Sequence, residues 1–399
     1  MLFLKSWFLK VSLTMLVFAL ALVRGGEAEP LWIATNEPPR PINAPLQVWL
    51  DYRPAEDLVV SRIVCVAAKP EPVDMKTVHE LSVNFFVIDV EEVPSPGPRE
   101  CPLLEHPDLF INGDYADLTT NYVNLMPGEY IGRRAQFSKM LFWLDFKKEF
   151  YLRKKGFFYI FFGGSSVYRP GEKKDDDPVE DSTAFNSNGF RLTAAGVVAT
   201  EQAARKRALL PSSPKKVEKD ADRFMAVASL VPEKNAIYLD IVCVNPLLRR
   251  VEKGLWVQGG SFLHLKTISD AAITCEVLKE GKPLKNEVAT PPKEEPETKG
   301  TNEHDGRAPR MDESQLVGRI LRVSELSAFA AMNEHFKDEK SRKKPLTIRV
   351  AVKLFIPDVE GAPKEAGMLT TNDIQLSYDQ FQQILEGHLN QLREKKLKR

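Results

Sequence analysis

The 399-residue sequence has no Cys-x-x-Cys pair and no His-Glu-x-x-His run, and its six histidines are scattered, which excludes a zinc ribbon and a zincin helix. It has no Gly-x-Ser-x-Gly elbow, no P-loop and no Gly-x-Gly-x-x-Gly after a strand; Gly163-Gly-Ser-Ser166 and Gly259-Gly-Ser261 read as strand-end turns. Neither sign of charge is in excess: 55 Lys and Arg balance 55 Asp and Glu, so there is no global field to attract nucleic acid. No nucleic-acid partner and no cofactor are expected. No Asn-x-Ser/Thr sequon occurs, which leans towards a bacterial source. What is present is an ordinary globular composition, 43% hydrophobic and 28% charged, with 28 prolines and 22 glycines for stiff loops. The length suits two domains of ~100 to 200 residues each.

The N-terminus has the layout of a secretory signal. Lys5 and Lys10 precede thirteen uncharged residues, Val11 to Val23, and then the small residues Gly25, Gly26 and Ala28. Cleavage after residue 28 is expected, so that the mature chain starts at Glu29. A retained anchor is the alternative, but Val11 to Val23 is shorter than the ~20 residues a bilayer requires. Beyond it the longest apolar run is Phe157 to Phe162, the length of a buried strand.

Laid on itself with a shift of 178, the chain repeats. Residues 46–66 fall on 224–244, with Pro54 on Pro232 and Ile63-Val-Cys-Val66 on Ile241-Val-Cys-Val244. With small length changes, Cys101 to Glu105 meets Cys275 to Lys279, Phe146 to Glu149 meets Phe336 to Glu339, Arg153 to Lys155 meets Arg342 to Lys344, and Ser187 to Thr193 meets Thr371 to Ser377. Five collinear anchors predict two copies of one module, each burying its own interior. Leu46, Val48, Leu50 and Tyr52 alternate, Leu58 to Val66 and Leu81 to Val93 are β-branched and apolar, and Ile348, Val350, Val352 and Leu354 share a face. Pro94-Ser-Pro-Gly-Pro98 punctuates them. Short strands between turns predict antiparallel sandwiches.

Leu125-Met-Pro-Gly-Glu-Tyr130, Phe137 to Leu144 and Asp145 to Ile160, closed by Ser187 to Leu192, resemble the second half of immunoglobulin-like or fibronectin III-like modules of secreted bacterial proteins. The resemblance implies an all-β fold of two tandem antiparallel immunoglobulin-like β-sandwiches and says little about function. Copy two departs from the pattern: it has no Pro-Gly-Glu turn, Pro345 replaces the glycine, and Ser324 to Lys340 suits a helix where the link should be short.

The expected organisation is a signal peptide at 1–28, a first sandwich at 29–199, a linker with a short helix at 200–222, a second sandwich at 223–378, and an amphipathic helix with a basic tail at 379–399. Within the second sandwich, 280–315 has five prolines, no aromatic residue, six basic and nine acidic side chains, and reads as a disordered insert. In the last helix Ser377 and Gln380 form a capping box, and Tyr378, Phe381, Ile384, Leu385, His388, Leu389 and Leu392 line one face.

Four cysteines in an exported chain predict Cys65 bonded to Cys101 and Cys243 to Cys275, each bridge contributing ~3.5 to 4 kcal/mol on the loop-entropy model; buried thiols are the alternative. Twelve of the 36 aromatics lie between Phe137 and Tyr168. Most belong in a core, leaving Trp143, Tyr151 and Tyr168 as candidates for stacking on a ligand. Asp175, Asp176, Asp177, Glu180 and Asp181 form a weak calcium candidate, but without the spaced ligands of a calcium loop they read as a solvated acidic loop.

The functional expectation is a secreted or periplasmic, non-catalytic binding or scaffold protein, with a protein or glycan of the cell envelope as partner and a possible peripheral membrane contact through the C-terminal helix. A secreted hydrolase with carboxylates on loops is one alternative, because such acids need no local motif. A membrane-associated adaptor is the other.

Overall fold

The computed structural model describes residues 45–74, 78, 82–88, 99–102, 122–140, 143, 158–164, 189–192, 194–208, 219–244, 248–250, 256–258, 261–284, 309–311, 314–357 and 363–397. The first copy runs β1 (Leu46–Arg53), β2 (Leu58–Cys65), β3 (Glu71–Asp74), β4 (Ser82–Ile88), β5 (Arg99–Pro102), β6 (Tyr122–Leu125), β7 (Glu129–Gln136), β8 (Phe158–Gly164), β9 (Gly189–Leu192) and helix α1 (Ala194–Ala208). The second runs β10 (Phe224–Val231), β11 (Ala236–Cys243), β12 (Leu248–Arg250), β13 (Trp256–Gln258), β14 (Ser261–Phe262), β15 (Ile273–Lys279), β16 (Lys282–Pro283), β17 (Arg310–Met311), β18 (Gln315–Arg322), α2 (Phe329–Lys337), β19 (Leu346–Pro357), β20 (Pro363–Thr370), β21 (Ile374–Leu376) and α3 (Tyr378–Leu397). Among the described residues the fold is mostly β, every strand pair is antiparallel, and three helices accompany the sheets.

The repeat is visible in the register. β1 pairs with β2 from Leu46 opposite Cys65 to Arg53 opposite Leu58, and β10 pairs with β11 from Phe224 opposite Cys243 to Val231 opposite Ala236. Each hairpin turns through one 3-10 turn opened by proline, Pro54–Glu56 or Pro232–Lys234. Each closes on a left-handed residue, Asp57 (φ 53°) or Asn235 (φ 51°). Proline presets φ at the first position, and Asp and Asn are the non-glycine residues that best tolerate the left-handed well. The recurrent tetrapeptides therefore lie in matching surroundings.

The two copies are joined edge to edge. The central sheet has the order β1-β2-β7-β18-β11-β10, and at its middle Val317 stands opposite Ile131, flanked by Leu316 opposite Gly132 and Gly318 opposite Tyr130. Because β2 meets β7 at Ile63 opposite Ile131 and β11 meets β18 at Ile241 opposite Val317, Ile131 and Val317 are the same position of the module. A pseudo-two-fold axis thus passes between them. Gly132 and Gly318 are equivalent in the same way: a Cβ on Gly132 would strike the Ser61 carbonyl oxygen, and one on Gly318 the Leu239 carbonyl oxygen.

Each copy adds a second sheet, β5-β4-β8-β9 in the first and β16-β15-β19-β20 with β21 on β19 in the second. These sheets lie beside the edges of the central one, β8 and β9 near β1, β20 and β21 near β10. One apolar cluster runs through both copies, from Val48, Leu50 and Ile131 to Val317, Ile348, Val350 and Phe381, all 1% exposed or less. The interior is therefore not divided into two, as separate sandwiches would require. Burying each such side chain contributes roughly 1.5 to 3 kcal/mol, so continuity of the core couples the halves.

Two boundaries and one equivalence also shift. The helix expected in a linker is α1, which packs on the Pro54–Glu56 turn as α3 packs on the Pro232–Lys234 turn. It starts at Ala194 and α3 at Tyr378, 184 positions apart, so α1 is the closing helix of copy one. The sequence 280–315 is structured at its ends, where Lys282–Pro283 pairs with β15 and Gln315 opens β18. Finally, β15 occupies the place of β4, since each pairs with the long inner strand of its second sheet, β19 or β8. Cys101 lies on β5 and Cys275 on β15, so the two are not equivalent.

Candidate functional site

One face of the central sheet belongs to the large core, and the other carries a smaller cluster of Val60, Val64, Tyr130, Ala236, Tyr238, Val242 and Leu316. Two charges are sunk into that smaller cluster. Arg62 on β2 is 2% exposed and Asp240 on β11 is 4% exposed. They meet in a bidentate pair, Nε to Oδ1 at 3.2 Å and Nη2 to Oδ2 at 2.8 Å. Their separation in sequence is 178 residues, the repeat shift itself.

Aromatic rings close over the pair. The Arg62 guanidinium carbon lies 5.4 Å from the Tyr130 ring centroid and 5.3 Å from that of Tyr238, within cation–π range. The Tyr130 hydroxyl is 2.8 Å from the Leu239 carbonyl oxygen and 2.9 Å from Asp240 Oδ1, so its single proton is shared between them. The bare α-carbon of Gly318 makes room for this ring, which a Cβ would approach to 2.5 Å. Asp51 and Arg53 extend the network, with Arg53 Nη2 2.8 Å from Asp51 and 3.8 Å from Asp240. At the rim Trp49 packs edge-on against Tyr238 at 6.0 Å, and the Lys234 ammonium lies 4.8 Å over the Trp49 ring.

Electrostatics fix the protonation states. Burial opposes charge on Asp240, but Arg62, its hydrogen bonds and Arg53 outweigh it and hold the carboxyl below the ordinary value. Burial opposes charge on Arg62 too, and Asp240 more than compensates. Burial raises the phenols of Tyr130 and Tyr238, which stay neutral. Burial also lowers Lys234. The buried pair directs its bonds to its own members, to the neutral Tyr130 hydroxyl and to the flanking Asp51 and Arg53.

No family model and no curated protein matches the chain. Among solved structures, one titled "pT26-6p" aligns with a TM-score of 0.14 and 11% identity, over 82% of this chain and 61% of its own length. So low a score assigns no fold.

The sites expected from the sequence fare differently. Cys65, Cys243 and Cys275 stand as thiols, so neither expected bridge is formed. Cys243 ends a strand of the central sheet, whereas Cys275 lies on β15 of the second sheet, where burial pushes its thiol up to about 12. Cys65 donates to the Lys69 carbonyl at 3.7 Å. Trp143 is 6% exposed and packs edge-on against Phe137 at 5.5 Å, which makes it a core ring and not a stacking platform. Tyr151, Tyr168, Asp175, Asp176, Asp177, Glu180, Asp181 and the Cys101 side chain lie outside the described residues. Among the described residues no cluster of His, Cys, Asp and Glu is placed to hold a metal.

Sequence reasoning missed Arg62 and Asp240. The signal was present, since opposite charges occupy one position of a repeat inside otherwise apolar strands. It also missed Glu129, 3% exposed, whose carboxylate accepts from Met126 N at 3.0 Å and from Arg319 Nη1 at 3.2 Å. Burial pushes Glu129 up to about 7 despite those bonds.

Proposed function

We propose that the chain is an exported, non-catalytic binding or scaffold protein whose two copies are immunoglobulin-like sandwich modules locked into one rigid tandem. The observation that carries this is the seam: a continuous six-stranded sheet fixes one copy against the other, and the ionic centre on it spends its bonding capacity inside the fold. A rigid tandem holds the loops at its two ends at a set spacing, which suits display to a partner better than closure around a substrate. The shared six-stranded sheet and the further four- or five-stranded antiparallel sheet of each copy, around a common core, support the sandwich reading, and the basic, apolar, small-residue order of the first 28 residues supports export.

Two measurements test the proposal. N-terminal sequencing of protein released from the cell envelope is expected to begin at Glu29. Recovery only in the cytosol defeats the export reading. Chromogenic glycosides, esters and peptides are expected to go unprocessed by the purified mature protein; turnover lost on replacing one carboxylate would install the hydrolase reading in its place.

A specific observation favours membrane contact as a second reading. On α3, Leu389 is 52% and Leu392 42% exposed, one turn before a tail, 393–399, with five basic residues and one acidic. Anionic lipid attracts such a tail by about 1 kcal/mol per basic residue near the surface. Cosedimentation with phosphatidylglycerol vesicles, but not with pure phosphatidylcholine, and its loss in L389S/L392S, is the expected result.

A further inference from the structure

Residues 62 and 240 are one position of the module, and the register places them symmetrically about the axis between Ile131 and Val317. In the chain this position meets its own counterpart as arginine against aspartate. If copy one paired with another copy one through the same register, Arg62 would face a second Arg62. If copy two paired with copy two, Asp240 would face Asp240. Either contact sets two like charges in a buried, ring-covered pocket: with two first copies Asp51, 3.7 Å from Arg62, offsets only part of the repulsion, and with two second copies Asp240 loses both Arg62 and Arg53. In a pairing of two first copies the Tyr130 hydroxyl would also lose its carboxylate, since the position of Asp240 would hold a guanidinium.

The rest of the seam does not discriminate in this way. Its middle is apolar in both copies, Ile131 or Val317. Near its ends Gln315 stands opposite Arg133 and Arg319 opposite Glu129, so a pairing of two first copies would set Glu129 opposite Arg133 twice, an attractive arrangement. Without the charges at 62 and 240, the seam of copy one would accept its own kind.

We infer that the Arg62–Asp240 pair is a recognition element by which copy one accepts copy two across the seam and rejects a second copy of itself. The partner that fits is therefore the opposite module, whether from the same chain or exchanged from another chain, and never the like module.

The test uses the full chain with a protease site engineered between residues 209 and 218. In the uncut chain, R62D and D240R are each expected to lower the unfolding midpoint by about 10 °C, and R62D/D240R to recover at least half of that loss. A double variant no better than the singles overturns the inference. After cleavage, wild-type and R62D/D240R proteins are mixed and their halves weighed by native mass spectrometry. Parental pairs are expected, with hybrids at less than about a tenth of their statistical share, because every hybrid sets like charges together. R62M/D240L, with no charge at either position, is expected to fold and, once cut, to yield like pairs of halves. Hybrids at their statistical share, or no like pairs from R62M/D240L, also overturn it.

Discussion

Copy one and copy two build the same turn from different chemistry. In copy one the left-handed residue is Asp57, fully buried, which accepts from Ser138 N at 2.7 Å and Ser138 Oγ at 2.6 Å and pairs with Arg207 of α1 at 2.9 Å. In copy two it is Asn235, which accepts from Ser324 N at 2.9 Å, donates to Ser324 Oγ at 2.6 Å and meets Gln391 of α3 at 3.4 Å. Arg207 and Gln391 stand 184 positions apart, the spacing of the helices, and each also donates to the carbonyl of the residue preceding the left-handed one, at Glu56 or Lys234. At the seam the substitution recurs, Glu129 in copy one against Gln315 in copy two. Three ionic groups in one copy face three amides in the other, over one backbone geometry. The hydrogen-bond pattern is thus the constraint, and charge is one way to meet it.

The sharpest way to break that equivalence is at Asp57. D57A removes a buried acceptor of three hydrogen bonds and leaves alanine in the left-handed well, so a loss of about 4 kcal/mol is expected. D57N keeps the geometry but leaves Arg207 facing an amide, and is expected to cost about 1 to 2 kcal/mol. D57N/R207Q reproduces the copy-two arrangement and should recover most of that cost. Chemical denaturation of the four proteins checks the series. If the double variant is as weak as D57N, the two turns are not interchangeable.

Glu129 gives the next largest effect, and it depends on pH. Its folded value of about 7 lies above the unfolded 4.5, so the native state holds the proton more tightly between those values. The stability this group contributes is present in full below about pH 4.5 and is lost as pH rises through about 7. E129Q copies the neutral residue of the other half and removes that loss. It is expected to be more stable than the wild type at pH 8, by at most about 3 kcal/mol, and to show little or no advantage at pH 5. Equal differences between the two proteins at both pH values would refute the assignment.

The comparison also explains what the sequence disclosed. Pro54 and Pro232 and the tetrapeptides from Ile63 and Ile241 were legible because a hairpin register tolerates no insertion, so their spacing is preserved. The Ser187 and Thr371 segments likewise lie on equivalent strands, with Leu192 opposite Tyr159 and Leu376 opposite Leu346. Cys101 and Cys275 misled, since a cysteine attracts alignment while the loops before it vary in length. α1 escaped notice as a module helix because Ala194 to Ala208 is rich in alanine and carries a narrow apolar face, with Val197 buried and Val198 46% exposed. Arg62 and Asp240 were hidden for another reason: a charge among valines reads as divergence until a partner three strands away is known. Periodicity reports neighbours along a strand, and the partner across a sheet is set by topology.

The smallest predicted effect separates the two helices. α3 crosses the Pro232–Lys234 turn so closely that a Cβ on Gly387 would lie 2.5 Å from the Glu233 carbonyl oxygen and 3.4 Å from Asn235 N. α1 carries Ala203 at the matching position, 184 residues earlier, a residue whose Cβ the approach of Gly387 to its turn would not admit. One turn on, Gln391 reaches Lys234 O at 2.9 Å, where copy one uses the longer Arg207 to reach Glu56 O. Alanine in a helix is worth about 1 kcal/mol over glycine, which alone would make G387A stabilising. The clash is with backbone and does not yield by a rotamer change, so a net loss of about 1 to 2 kcal/mol is expected instead. G387A/Q391R, which gives α3 both features of α1, should recover part of the loss by letting the helix stand off while keeping its bond to Lys234 O. A203G, with no clash to relieve, should cost only the propensity difference. Thermal midpoints of the three variants distinguish these cases, and a stabilised G387A would show that α3 is free to move away from the turn at no cost.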